Sequence, residues 1–168
     1  REYLEIDLGE MSGIEWARKR EHIPVVFSRD EVAAILSSLP PTQKIIASLL
    51  YGAGLRLAEC LRLRIKDLDF ERNQIAIWDS KSQKDRLVML PAPLRDPLRQ
   101  QLADIRKIHE RDRSDRLPGV ALPYAIERKY PAAGTAWKWF WLFPSHKLST
   151  DPRSKITRRH HLYDSIMQ

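Results

Sequence analysis

The stretch LLYGAGLRLAECLRL, residues 49–63, decides the fold of this 168-residue chain. Its apolar first half predicts a helix that stops at the break made by Gly52 and Gly54, and a new helix then begins with Arg56 in its first turn. Arg56 and Glu59 are three positions apart and share a helix face, so the carboxylate can fix the direction of the guanidinium. A fixed guanidinium at a helix start suits bidentate binding of a phosphate. The competing interpretation is an ordinary solvent-exposed arginine held by Glu59.

A β-hairpin with a basic tip is predicted about twenty residues further along. Extended segments at 75–78 and 86–90 flank the polar run WDSKSQKDR of residues 78–86. The turn carries Lys81 and Lys84, and Arg86 opens the return strand. An ammonium at a hairpin tip can be lowered onto a phosphate, whereas the competing interpretation is a charged turn that only favours solubility.

Charge is distributed unevenly along a chain that has the length of one domain. Residues 1–91 hold 14 Lys or Arg and 14 Asp or Glu, while residues 92–168 hold 15 against 8 and account for the whole net charge of +7. This basic half indicates a polyanionic partner, with nucleic acid as the first expectation. No apolar run is long enough to span a membrane. The single cysteine, Cys60, excludes an internal disulfide and is predicted to be a small buried apolar residue, so a cytoplasmic location is expected.

The remaining elements are predicted mainly from apolar periodicity. Residues 1–22 lack such a period and are interpreted as a linker or the tail of a preceding domain. Ser28 and Glu31 form a capping box at a helix start. The segments 121–130 and 157–168 are each predicted to be helical. Three apolar stripes predict three further helices: Val32, Ile35, Leu36 and Leu39; Ile45, Ile46, Leu49 and Leu50; and Leu94, Leu98, Leu102, Ile105 and His109.

The segment 114–144 is unusually long for a connection and ends in the aromatic run WKWFWLFP, residues 137–144. A loop of this length inside a compact domain is usually functional or an insertion. One interpretation places Trp137, Trp141 and Phe143 alternately along a strand and into the core, with Trp139 and Phe140 on the other side. The other interpretation keeps Trp139 available as a platform for stacking.

Taken together, the Gly-Leu-Arg-x-x-Glu box and the lysine hairpin resemble the front half of the catalytic domain of tyrosine site-specific DNA recombinases, the phage integrase family. The resemblance implies an α+β fold for residues 23–168 that is mainly helical and carries a small antiparallel sheet. It also implies that Arg56 stabilises charge on the scissile phosphate and that Lys81 is the general acid, with Lys84 as the competing candidate. Glu59, Lys84 and Arg86 are the supporting residues. Serines flank Lys81 where the family usually has glycines, which makes this turn stiffer.

The same resemblance implies a two-step transesterification through a 3′-phosphotyrosine, carried out by four protomers on two DNA sites with no metal and no other cofactor. The family also needs a His-x-x-Arg box and a later tyrosine, and residues 1–168 contain no His-x-x-Arg. This segment alone is therefore expected not to cleave DNA. The alternatives are a DNA-binding module without catalytic activity, a type IB topoisomerase-like enzyme and an inactive gene remnant.

Within the family, the aromatic insertion at about 114–144 is similar to that of the integron integrases. In that branch the substrates include folded single-stranded attachment sites whose unpaired bases protrude from a stem, and such bases are bound by stacking on aromatic side chains. Trp139 is the first candidate platform, and the secondary candidates are Trp78, Pro152, His160 and His161. The competing interpretations are core packing for the tryptophans and a plain surface helix for the two histidines. The histidines are not spaced as metal ligands.

Overall fold

The computed structural model describes residues 25–78, 85–152 and 154–167. Helices predominate, and two small antiparallel sheets accompany them, which confirms the coarse α+β prediction. The proposed linker at 1–22 lies outside the described residues. The helices are α1 (Arg29–Ser38), α2 (Pro41–Ala53), α3 (Leu57–Leu61), α4 (Arg95–Ser114) and α5 (Tyr124–Lys129), and the strands are β1 (Leu68–Asp69), β2 (Gln74–Ile77), β3 (Arg86–Met89), β4 (Pro144–Thr150) and β5 (Thr157–His161).

Helix α1 begins at the capping box that the sequence predicts. The backbone N–H of Ser28 donates to Glu31 Oε2 over 2.7 Å, and the N–H of Glu31 donates to Ser28 Oγ over 3.3 Å. The predicted apolar stripe of this helix is not part of the core, because no residue of α1 is buried and Ile35 is 43% exposed. Helix α1 therefore lies on the surface against α2.

Helix α2 supplies the core and delivers the chain to Arg56. Ile45, Ile46 and Leu49 are buried, and the helix continues through the first glycine of the predicted break to end at the second. Gly54 adopts a left-handed conformation with φ of 64°, which glycine reaches at little steric cost. Helix α3 then starts with Arg56 as its N-cap, so the predicted break and restart are confirmed.

The predicted hairpin is confirmed in its two strands. Strands β1, β2 and β3 form one antiparallel sheet, with Ile75 opposite Val88 and Ile77 opposite Arg86. Ile75 and Ile77 are buried on the inner face of this sheet. The tip of the hairpin, residues 79–84, lies outside the described residues, and so do both candidate lysines.

The main core lies between α2, α3, the first sheet and the long helix α4. The amphipathic prediction for α4 is confirmed, since Leu98, Ile105 and His109 are buried. Cys60 is fully buried, and burial raises the pKa of its thiol to about 12. This confirms the prediction of a small apolar core residue and leaves no reactive thiolate at neutral pH. In the part of the chain that the structure describes, no helix is long and apolar enough to cross a membrane.

The predicted helix at 157–168 is wrong, because Thr157–His161 forms strand β5 and Asp164–Met167 forms a short 3₁₀ turn. Strand β5 pairs with β4, with Leu148 opposite Arg159. Successive side chains in a strand point to opposite faces. Accordingly, Arg158 pairs with Glu127 of α5, whereas the neighbouring Arg159 pairs with Asp112 of α4. The interpretation of the two histidines as part of a surface helix falls with this correction.

The insertion has a small core of its own, made of Val120, Leu122, Phe140 and Trp141. The short helix predicted at 121–130 is confirmed as α5. The alternating strand considered for the aromatic run is wrong: Trp137–Trp139 is a 3₁₀ turn, and Phe140 is buried rather than on the outer side.

Two glycines explain how the insertion closes on itself. The N–H of Val120 donates to the carbonyl of Gly134 over 3.0 Å, which brings two backbone segments together. A Cβ on Gly119 would lie 2.4 Å from the carbonyl carbon of Gly134, and a Cβ on Gly134 would lie 2.7 Å from the carbonyl oxygen of Val120. Only glycine permits this approach of two backbones.

Candidate nucleic-acid interface

An open pocket of about 680 Å³ lies between α3, the first sheet and the insertion. It brings together three groups that the sequence singled out separately, namely Arg56 with Glu59, Trp78 at the end of β2, and Trp139 of the insertion. Arg64 and Lys66 also line this pocket. The arrangement of cationic and aromatic side chains around a cavity suits an anionic ligand with flat rings.

Arg56 is held in place by Glu59, as the three-residue spacing predicts. Its Nη1 donates to Glu59 Oε1 over 2.8 Å, and its backbone N–H donates to Glu59 Oε2 over 2.9 Å. Arg86 on β3 binds the same carboxylate with both terminal nitrogens, at 3.0 and 2.7 Å. One carboxylate therefore aligns two guanidinium groups from two different elements.

The charge state of this cluster is fixed at neutral pH. The hydrogen bonds from Arg86, followed by those from Arg56, lower the pKa of Glu59 to about 2 against the opposing effect of burial. Conversely, the bond to Glu59 raises the pKa of Arg86. The Glu59 side chain is 8% exposed, whereas the Arg56 side chain is 57% exposed. The Glu59 carboxylate is thus buried and holds Arg56 in place, while the Arg56 side chain itself stays exposed to solvent.

The second part of the pocket is centred on Asp67, which the sequence reasoning missed. Its side chain is 3% exposed. Its Oδ1 accepts from Lys66 Nζ over 2.7 Å and from Trp78 Nε1 over 2.8 Å, and its Oδ2 accepts from the backbone N–H of Arg64 over 2.8 Å. The Trp78 indole is thereby fixed at the base of the hairpin, although this residue is 55% exposed.

Two cations contact the tryptophans of the insertion. Lys66 Nζ lies 4.6 Å from the ring centroid of Trp78 and 4.8 Å from that of Trp139. The guanidinium carbon of Arg64 lies 3.9 Å from the ring centroid of Trp141 and 5.5 Å from that of Trp139. All four distances are within the range of cation–π attraction.

Arg64 also ties the insertion to the chain before it. Its terminal nitrogens donate to the carbonyls of Trp139 and Ala121, each over 2.7 Å. Burial lowers the pKa of Arg64 to about 10, while Asp67 acts in the opposite direction, so the guanidinium remains charged at neutral pH. A buried, fully engaged arginine of this kind positions the tryptophans rather than binding a ligand itself.

Pro152, His160 and His161 do not line this pocket, although His161 contacts Trp141, which does. His161 packs edge-on against Trp141 with ring centroids 5.1 Å apart, and burial lowers its pKa. His160 is half-buried on the same strand. Pro152 lines a second pocket of about 440 Å³, together with Arg158. Among the residues with described positions, no group of three or more His, Cys, Asp or Glu side chains is arranged to hold a metal ion.

Arg64, Lys66 and Asp67, which the sequence analysis did not single out, lie in a segment with one recognisable sequence pattern. The run RLRIKD, residues 62–67, interleaves basic residues with apolar ones directly after the arginine box. This pattern indicates a basic surface, but the partners of Arg64 and Lys66 in the insertion lie at least 57 positions away. No spacing rule connects residues at that separation.

Comparison with known proteins gives concordant results. The model of the phage integrase family matches residues 26–165. An integrase/recombinase from Escherichia coli is 47% identical over 162 residues, which cover 96% of this chain and 48% of that protein. Tyrosine recombinase XerA from Thermococcus onnurineus (strain NA1) is 37% identical over 122 residues, which cover 67% of this chain and 43% of that protein.

A crystal structure of XerA recombinase is 29% identical in sequence to this chain, with a TM-score of 0.45, over 54% of this chain and 32% of that one. The chain spans about half the length of the relatives that it matches.

Proposed function

This chain belongs to the phage integrase family, and on that premise we propose that it forms the DNA-binding front part of the catalytic domain of a tyrosine recombinase. The observation that carries the proposal is the alignment of Arg56 and Arg86 by one buried carboxylate at the mouth of a basic, tryptophan-lined pocket. Such an arrangement prepares a guanidinium for a phosphate before the DNA arrives. Charge stabilisation of the phosphate is the role that we assign to Arg56.

In the complete protein the reaction is a transesterification. A tyrosine hydroxyl loses its proton to a base or to solvent and its oxygen attacks the phosphorus. The P–O5′ bond breaks as the bond to the tyrosine oxygen forms, which gives a 3′-phosphotyrosine, and the 5′-oxygen of the DNA takes up a proton as it leaves. We assign that proton to Lys81, with Lys84 as the alternative; both lie outside the described residues. Religation reverses the step, so the bond energy is retained without a metal or a nucleotide cofactor. The tetrameric assembly remains a prediction from the resemblance, and the cytoplasmic location remains a prediction from the cysteine content and composition.

We further propose that the substrates are of the integron type, with unpaired bases that protrude from a folded single strand. The support is the clustering of Trp78 and Trp139 at the pocket that also contains Arg56, since stacking platforms beside a phosphate-binding cation suit an extrahelical nucleotide. Pro152, His160 and His161 are assigned to contacts with DNA outside this pocket.

The catalytic proposal is tested in a chimaera in which residues 26–165 replace the matching segment of the Escherichia coli relative. Cleavage of a nicked DNA substrate is measured as covalent protein–DNA complex on a denaturing gel. Arg56→Ala is expected to abolish the covalent complex while DNA binding survives. Arg72→Ala is the matched control, because Arg72 is 76% exposed and also pairs with a carboxylate three positions away.

Retention of cleavage by the Arg56→Ala chimaera would remove Arg56 from the catalytic site. Binding without cleavage in the unmutated chimaera would favour the other interpretation, a DNA-binding module that has no catalytic activity.

A further inference from the structure

Lys66 makes cation–π contacts with both a tryptophan at the base of the hairpin, Trp78, and a tryptophan of the insertion, Trp139. Its side chain is 24% exposed, and its ammonium donates to Asp67 over 2.7 Å. With the two indole rings at 4.6 and 4.8 Å, the ammonium has an acceptor and two π faces around it. These three partners fix the position of the ammonium inside the pocket.

We propose that Lys66 is a positioning residue: its ammonium contacts the Trp78 and Trp139 rings and fixes them relative to each other, so that the two indoles together form a binding surface for an unpaired base. Asp67 holds Lys66 and Trp78 together, because one of its carboxylate oxygens accepts a hydrogen bond from each of them. This inference rests on the proposed function, since it assigns a shape to the surface on which the base stacks.

The contacts of Lys66 and Asp67 with Trp78 are also linked to Arg56, the arginine proposed to bind phosphate. Trp78 directly follows Ile77, and Ile77 lies opposite Arg86 in the hairpin. Arg86 in turn binds the carboxylate that aligns Arg56. A contact sequence therefore runs from the insertion through Lys66 and the hairpin to Arg56, so that loss of Lys66 loosens the stacking surface first.

The position of Lys66 is itself fixed from both sides. It belongs to a 3₁₀ turn at Ile65–Asp67, whose first residue donates its backbone N–H to the carbonyl of Phe140 over 3.1 Å. The turn is thus attached to the insertion by the backbone and to the hairpin by the Asp67 side chain. Lys66→Met retains the length of the side chain and removes the charge that joins the two rings, together with the hydrogen bond to Asp67.

The first experiment measures binding of the 168-residue chain by fluorescence anisotropy. The probes are a fluorescein-labelled DNA stem-loop with two unpaired purines and the same stem-loop without them. The selectivity is the ratio of the two Kd values. Lys66→Met is expected to lower this selectivity about fivefold or more, and Lys66→Arg is expected to restore it to within about twofold, because an arginine also provides a cation over both rings.

The matched control is Lys107→Met, which removes the same charge from a lysine that is 76% exposed and paired with Asp104 on α4. This variant is expected to weaken binding to both probes equally and to leave the selectivity unchanged. Trp78→Phe provides a second test, since it retains an aromatic face, loses the hydrogen bond to Asp67 and weakens the contact with Lys66. An unchanged selectivity in both Lys66→Met and Trp78→Phe would overturn the proposal.

A second measurement separates this proposal from the proposed function. Hydrogen–deuterium exchange of the DNA-free chain is expected to accelerate at 74–78 and at 137–141 in Lys66→Met and not in Lys107→Met. If the wild-type chain shows no selectivity for unpaired purines, the substrate proposal fails, and accelerated exchange still supports the positioning role. Unchanged exchange at both segments would refute the positioning role whatever the DNA preference.

Discussion

Replacing Glu59 with glutamine tests the arginine cluster at its centre. The carboxylate accepts four hydrogen bonds, two from Arg86 and two from Arg56, and these hold its pKa at about 2 instead of 4.5. At about 1.36 kcal/mol for each pKa unit, that difference corresponds to about 3 kcal/mol of folding free energy. Water at the mouth of the pocket screens the pair, and glutamine retains one acceptor. We therefore expect Glu59→Gln to lower the free energy of unfolding by about 1–2 kcal/mol at pH 7.

The stabilisation that ionised Glu59 provides should depend on pH, and the lowered pKa gives the direction of that dependence. Because the folded-state pKa of Glu59 lies below its unfolded value, the contribution is fully present above about pH 4.5 and is lost as the pH falls towards 2. The difference in unfolding free energy between wild type and Glu59→Gln should therefore shrink between pH 4.5 and about 2.

Urea denaturation followed by circular dichroism at pH 7, 4.5 and 3 measures this difference. Glu110→Gln is the matched control, since Glu110 is 64% exposed and pairs with Arg106 on α4. The control is expected to change the unfolding free energy by less than about 0.5 kcal/mol at any of these pH values. A Glu59→Gln variant as stable as the control at pH 7, or a loss that stays constant down to pH 3, would refute the account of the cluster.

Three further outcomes are expected. Gly134→Ala should lower the unfolding free energy by about 1–3 kcal/mol in a urea titration, because its Cβ would lie 2.7 Å from the carbonyl oxygen of Val120. Arg159→Met should cost about 3–5 kcal/mol in the same titration, because it leaves the 3% exposed carboxylate of Asp112 without its bidentate partner. Trp139→Ala should cost about 1–3 kcal/mol in binding to a DNA stem with protruding bases and little on a plain duplex. A loss of unfolding stability under about 0.5 kcal/mol for the first two variants, or equal binding losses on both DNAs for the third, would contradict these assignments.

Local signals in the sequence predicted the elements whose stability depends on near neighbours. The capping box at Ser28 and the restart of the helix at Arg56 depend on residues three positions apart, and the two strands of the hairpin pair residues at most 15 positions apart. The same holds for the grip of Glu59 on Arg56, which is a contact between residues three apart. These features need no knowledge of the rest of the fold.

The errors concern elements whose form depends on distant partners. Strand β5 has a sequence of Thr, Arg and His that is neutral between helix and strand, and pairing with β4 decides its conformation. Helix α1 itself is confirmed, although the periodicity of its apolar stripe does not say what covers that stripe. Asp67 and Lys66 escaped notice because their roles depend on contacts with Trp78 and Trp139, which only the folded chain brings together.

The central claim is that the pocket between Arg56, Trp78 and Trp139 receives a DNA phosphate and an unpaired base beside it. The most direct test is fluorescence anisotropy of the wild-type chain with a labelled DNA hairpin that carries protruding bases and with a matched perfect duplex at the same salt concentration. The account predicts tighter binding to the hairpin, with about tenfold selectivity for one stacked base. Equal, salt-sensitive binding to both DNAs would reduce the pocket to a basic surface and contradict the claim.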